Sequence, residues 1–146
     1  DSEGNKINDP IAANRFDGEL KNAYLQQLIF ANKKTLEMID SIQEKNPDNV
    51  IILMSDHGGR FGVDWANPTE MDYFRGFNNL SALYFPGQES NIPNYVSSVN
   101  IFRIFFNLYF DTNYEILDEK LIWYDYTRPL LHNDVTELVK SSSLRN

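Results

Sequence analysis

The chain has 146 residues, 42% of them hydrophobic and 14% aromatic, with a formal net charge of -8 and no cysteine. That length suits one domain with a real core, and the aromatic content excludes a disordered acidic tail. The negative charge, unrelieved by any basic cluster, argues against nucleic-acid and anionic-membrane partners, while the lack of cysteine removes disulfides, thiolate zinc sites and cysteine nucleophiles.

Residues 1 to about 18 are polar and carry Gly4, Pro10 and Gly18, which predicts an irregular arm. No apolar run is long enough to span a bilayer, no signal peptide is visible, and the chain opens on Asp1, so it is expected to be a piece of something longer. From Glu19 to Asn46 there is neither Gly nor Pro, and Tyr24, Leu28, Ala31, Thr35, Met38 and Ile42 follow the spacing of one helical face. Leu25, Ile29, Leu36 and Ile39 widen the stripe, as expected of a helix laid on a sheet. Pro47 with Asp48-Asn49 stops this helix and turns the chain.

The run Val50-Ile51-Ile52-Leu53-Met54 reads as a strand buried on both faces, as in a parallel sheet. It ends in Ser55-Asp56-His57-Gly58-Gly59, and polar side chains at the carboxyl end of such a strand stand where open α/β sheets bind ligands. The next dozen or so residues have no period and predict a loop with a helical turn near Glu70–Phe74. Asn79–Phe85 predicts a second strand closed by Pro86-Gly87, and Ser97–Asn100 opens a helix whose stripe Phe102, Phe105, Phe106 and Tyr109 is expected to be core. Leu121–Tyr124 predicts a third, edge-like strand, and the remainder is expected to fray through Ser141-Ser142-Ser143, with residues 141–146 as a tail.

Asp56 and His57 are the candidate metal ligands. Adjacent residues on extended backbone face opposite ways, so a shared ligand requires a turn after Ser55, and Gly58 and Gly59 are expected to form it through the conformational freedom of glycine. Carboxylate plus imidazole suits zinc or manganese better than calcium. Two ligands are an incomplete cage, and a turn capped by Asp56 with a hydrogen-bonded His57 accounts equally for the same residues. Arg60 is a candidate for holding a sulfate or phosphate oxygen, against a solvated loop charge or a pair with Asp64. His132 reads as a surface histidine, Trp65 and Tyr73 as rings closing a loop over the core, and Asp111, Asp118 and Asp125 as solvated turns.

The run Val50–Gly58, after a helix carrying Tyr24, Asn32 and Ile39-Asp40, resembles the carboxyl-terminal portion of the sulfatase and alkaline phosphatase superfamily. Phe77–Gly87 resembles the following strand of that superfamily and Val96–Arg103 its next helix. Within it the chain is most similar to sulfatase-like proteins and phosphoglycerol or phosphoethanolamine transferases. The resemblance implies an α/β fold, part of an alkaline-phosphatase-like three-layer sandwich with a mixed or parallel sheet flanked by helices, residues 1–146 forming the carboxyl-terminal half of one catalytic domain. It implies that Asp56 and His57 bind a divalent metal (zinc, manganese, magnesium or calcium) that acts on small sulfate or phosphate esters outside the cytoplasm. It also implies that the nucleophile and any membrane anchor lie upstream, so that the chain carries no catalytic residue of its own, is inactive alone, and self-associates where its missing amino-terminal half should pair. The chain departs from the pattern in having no histidine between Gly58 and His132, and Arg75 meets only loosely the basic residue before the next strand. The alternatives are a non-catalytic interaction module and a small domain binding anions through backbone amides near Gly58-Gly59.

Overall fold

The computed structural model describes residues 1–5, 17–60, 62–65, 67–125 and 128–141, with backbone alone described at 17–20, 125 and 129. Most of the expected arm, and the expected tail beyond Ser141, lie outside the described residues. The chain divides into two compact units, Asp1–Asn49 and Val50–Asn146. No helix among the described residues is long and apolar enough to cross a membrane.

The first unit is built on α1 (Asp17–Lys45), the helix expected from the uninterrupted periodic stretch. It stops where expected: the Asn46 and Asn49 amides donate to the carbonyls of Ile42 and Asn46 at 3.1 and 3.2 Å, and the Asn46 side chain accepts from the Asp48 amide at 3.0 Å. Of its apolar stripe, Tyr24, Leu25, Leu28, Ile29, Leu36 and Met38 are exposed, and Thr35, Ile39 and Ile42 are half-buried.

The second unit runs β1 (Ile51–Met54), α2 (Glu70–Phe77), β2 (Ser81–Tyr84), a short 3-10 turn (Glu89–Asn91), α3 (Ser98–Tyr109), β3 (Ile122–Asp125), β4 (Arg128–Asp134) and α4 (Thr136–Lys140). The chain is thus a mixed α/β protein with two small antiparallel sheets. The parallel, doubly buried reading of β1 is corrected. β1 pairs antiparallel with β2, from Ile51 opposite Tyr84 to Met54 opposite Ser81, and its residues are half-buried or exposed. An apolar run specifies extended backbone with sticky side chains, but neither the direction of its neighbour nor the number of faces covered.

α2 extends the expected helical turn because its start is fixed by a capping box. Thr69 Oγ1 accepts from the Asp72 amide at 3.3 Å while the Asp72 carboxylate accepts from the Thr69 amide at 2.9 Å. β3 falls where expected, but β4 and α4 replace the expected fraying. Their sequence is polar and carries Pro129; what makes β4 a strand is pairing with β3, Trp123 opposite Asn133 and Tyr124 opposite His132. α4 begins where Asp134 Oδ1 accepts from the Thr136 amide at 3.0 Å and its hydroxyl at 2.6 Å.

Two aromatic cores result. Trp123, only 6% exposed, packs with Val135 and Val139; Trp65 stacks on it at 5.0 Å, and Tyr73 and Phe77 meet it edge-on at 5.0 and 6.2 Å. Trp65 and Tyr73 thus close a loop over the core, as expected. Phe85 is fully buried and meets Phe105 and Tyr109 of α3, whose Ile101 and Ile104 are also buried. The reading of Phe102 and Phe106 as core is corrected, since both are exposed. The side of α3 that packs inward is centred on Ile101 and Ile104.

α3 also carries a polar row that holds the irregular stretch 111–121. The buried Asn100 side chain donates to the Leu117 carbonyl at 2.9 Å and accepts from its amide at 3.0 Å. One turn on, Arg103 donates to the Glu115 carbonyl at 2.9 Å, and beyond it Asn107 exchanges the same pair of bonds with Tyr114 at 2.8 and 2.7 Å. Asp111, in the left-handed region at φ 52, starts that stretch; Asp125, expected in a turn, instead ends β3.

Candidate functional site

At the end of β1 the chain leaves the sheet through Ser55, whose amide still donates to the Leu80 carbonyl at 3.0 Å. The Ser55 hydroxyl then serves both sides of the turn: it accepts from the Leu80 amide at 2.9 Å and donates to the His57 carbonyl at 3.2 Å. The Asn79 amide side chain donates to the Ser55 carbonyl at 2.9 Å. These bonds turn the backbone just where the two candidate ligands would require it, and Asp56 Oδ2 stands 3.7 Å from His57 Nε2.

Glycine is needed at position 58, but for another reason than the one expected. Neither Gly58 nor Gly59 is in the left-handed region. A Cβ on Gly58 would lie 1.9 Å from the Arg75 carbonyl oxygen and 2.7 Å from that of Asn78, because the carboxyl end of α2 presses on the turn. The Gly58 amide donates to the Gly76 carbonyl at 3.0 Å across that contact. Gly59 faces open space.

The imidazole is oriented by its own backbone. His57 Nδ1 stands 2.7 Å from the Gly58 carbonyl oxygen, which can only accept, so Nδ1 carries the proton and Nε2 presents its lone pair. That is how a metal-ligating histidine is held, with the second nitrogen committed to a carbonyl. Two atoms each about 2.1 Å from one ion at a tetrahedral angle stand about 3.4 Å apart; the 3.7 Å between Asp56 Oδ2 and His57 Nε2 is close to that. Both side chains are open to solvent, Asp56 by 88% and His57 by 43%. Among the described residues no group of three or more His, Cys, Asp or Glu side chains is placed to hold a metal ion. Asp56 and His57 fit a divalent cation as one side of a cage.

The pair stands on the rim of a cleft of about 810 Å³ whose walls come from the end of α2, from β2, from the segment 92–98 and from Leu121. Phe77, Leu83 and Leu121 supply apolar surface, and Asn78, Asn94 and Ser98 supply amides and hydroxyls. Arg60 does not line it: its guanidinium lies 5.5 Å from the centre of the Trp65 ring, beside a second, small pocket of about 50 Å³. His132 is exposed on β4, opposite Tyr124, and is not among the cleft residues. The backbone anion-binding alternative loses two donors, since the His57 amide is taken by Asp56 Oδ1 at 3.0 Å and the Gly58 amide by Gly76.

Two residues of the site were not singled out from the sequence. The bond from Asn79 to Ser55 spans 24 positions, beyond the reach of local pattern. Glu119 brings a second carboxylate to the cleft and is paired with Lys140 at 3.2 Å; nothing in its neighbourhood in the sequence marks it. No protein-family profile, curated protein or solved structure matches the chain.

Proposed function

We propose that this chain is the metal-binding half of a sulfatase-like hydrolase or phosphotransferase acting on sulfate or phosphate esters outside the cytoplasm. The observation that carries the reading is the turned pair Asp56–His57 at a strand end, with Nε2 presenting its lone pair 3.7 Å from the carboxylate. Asp56 and His57 would hold the divalent ion, the Gly58 carbonyl would keep the imidazole in the ligating tautomer, and Ser55 with Asn79 would fix the turn. When bound, the ion supplies Lewis-acid stabilisation of charge on the transferring group. The cleft beside the pair would take the organic part of the ester, and the nucleophile would come from upstream of Asp1.

Asp56→Ala and His57→Ala test this in the longer protein. Each is expected to lower its divalent-metal content and to abolish hydrolysis of p-nitrophenyl phosphate and sulfate, while changing stability by no more than about 0.5 kcal/mol because both side chains are exposed. Metal content and activity retained in both variants would sink the proposal. A second reading, a non-catalytic interaction module, draws on the exposed rings Phe102, Phe106, Phe110 and Tyr114, of which Phe106 meets Phe110 at 5.6 Å and Tyr114 at 6.0 Å. Function lost on Phe110→Ala and kept on Asp56→Ala would favour it.

A further inference from the structure

The outward side of α3 is apolar along its whole length. Val99, Phe102, Phe106 and Phe110 follow one another at intervals of three or four residues and so share one stripe, and all four are exposed, by 38% to 60%. Phe110 closes the helix, its amide donating to the Phe106 carbonyl at 3.0 Å. Phe106 meets Phe110 at 5.6 Å and the equally exposed Tyr114 at 6.0 Å, which joins a fourth ring to the stripe. The polar row beside it is spent within the chain: Arg103, the one ionised side chain of α3, donates to the Glu115 carbonyl, and Asn100 and Asn107 bond to Leu117 and Tyr114. An occupant of the stripe therefore offers apolar surface and no counter-charge.

The rings make the stripe its own complement. Phe102 and Phe110 stand four residues either side of Phe106, so the stripe reads the same when reversed. Two α3 helices set antiparallel about a twofold axis at Phe106 put Phe106 against Phe106, and Phe102 of each copy against Phe110 of the other. Every one of these contacts is between rings, which pack offset or edge-on and gain beyond their burial. The area also suffices. A fully buried aromatic side chain contributes roughly 150–250 Å², so the exposed parts of the four rings, with Val99, come to about 500 Å² per copy and about 1,000 Å² in the pair. That is the lower bound of a specific interface, where association is weak and reversible. An anionic lipid surface fits less well, because Asp111, Glu115 and Asp118 stand exposed beyond the carboxyl end of the helix on a chain of net charge -8.

We infer that the outward face of α3 is a homodimerisation site, at which a second copy of this chain lays its own α3 antiparallel with Phe106 on the twofold axis. The symmetric spacing of the rings selects the second copy as the occupant, and their area makes the dimer a weak one. This site is independent of the metal reading of Asp56 and His57.

The chain holds no cysteine, so a single introduced thiol reports the packing. Packed helices stand about 8–10 Å apart and each Cα lies about 2.3 Å from its own axis, so Cα atoms facing each other at position 106 are about 5 Å apart, within disulfide range. At position 99 about fourteen residues of helical rise separate the two copies by roughly 20 Å. Phe106→Cys is expected to become a disulfide-linked dimer under mild oxidation, and Val99→Cys at least about tenfold more slowly. In sedimentation of the full 146-residue chain, the wild type is expected to dimerise with a dissociation constant of about 10–500 μM. Phe102→Lys is expected to weaken that dimer at least about tenfold, by setting an ammonium against the ring of Phe110 in an apolar contact. Phe102 is exposed and meets no other ring among the described residues, so circular dichroism should show this variant folded. Leu130→Lys, which removes a side chain 95% exposed on β4, is expected to leave the dimer unchanged. A wild-type chain monomeric at millimolar concentration, equal cross-linking of the two cysteine variants, a dimer that survives Phe102→Lys or is lost in Leu130→Lys, or a monomer that co-sediments with phosphatidylcholine vesicles would each overturn the inference.

Discussion

The two small sheets of the second unit are built alike and used differently. Each is an antiparallel pair whose first strand has four residues. β1 is the more apolar, yet Ile51, Ile52 and Leu53 are only half-buried and Met54 is exposed. β3 is mixed, yet its Trp123 is at the centre of a core. Burial is thus not set by the apolar content of a strand but by what its neighbours bring. Three rings from the loop after β1 and from α2 converge on one indole, whereas the strand that ends in the site is covered on fewer sides. The turn after β1 is held by hydrogen bonds at its base, with the side chains of Asp56 and His57 left in water.

If that contrast holds, the two sheets should respond to substitution in different ways. The largest effect is expected at Trp123→Ala, which removes the partner of Trp65, Tyr73 and Phe77 together and should cost about 3–5 kcal/mol in chemical denaturation. A loss below about 1 kcal/mol would mean that β3 is no more a core strand than β1. Gly58→Ala comes next: its Cβ cannot coexist with the Arg75 carbonyl at 1.9 Å, so the end of α2 must move, at about 1–3 kcal/mol. The same variant should also weaken metal uptake by Asp56 and His57, which titration calorimetry with zinc reads separately from stability. Thr69→Ala removes the hydroxyl of the capping box and should cost about 1 kcal/mol, seen as a lowered melting temperature with α2 frayed from its start.

The smallest effect is a pH dependence on the β4 side. The Thr136 side-chain hydrogen bond, with the Thr136 backbone amide, holds the Asp134 carboxyl below its ordinary 3.8. A carboxylate whose folded pKa is depressed contributes stability above its unfolded pKa and loses it as pH falls through the folded value. Stability should therefore decline below about pH 4, and Thr136→Val should remove that part of the decline, as denaturation midpoints measured between pH 6 and 2.5 would show. An unchanged acid limb in Thr136→Val would show that the bond contributes nothing on the exposed β4 side.

Much of this was legible in the sequence. α1, β2 and β3 are local patterns of periodicity, α3 starts where expected although the Ser97 side chain makes no capping bond, and the turn after Ser55 falls where two adjacent candidate ligands would need it in order to face one way. What stayed hidden is non-local. β4 looks like loop until Trp123 and Tyr124 are placed beside it, and the need for glycine at position 58 comes from Arg75 and Asn78, well along the chain. Likewise the apolarity of Val50–Met54 contained no information on strand direction. Arg60 was read as a candidate for the site on nearness in sequence alone, whereas its guanidinium rests on Trp65.

The polar row on α3 has a consequence for how the molecule opens. Residues 111–121 form no helix and no ladder, and by that criterion they would be the first to detach. Yet the Tyr114 and Leu117 amides are bonded to Asn107 and Asn100, side chains of a helix that is itself buried at Ile101 and Ile104. The stretch therefore opens with α3 rather than ahead of it. In exchange with solvent those two amides share the lifetime of the helix, as coil in name and part of its cooperative unit in fact.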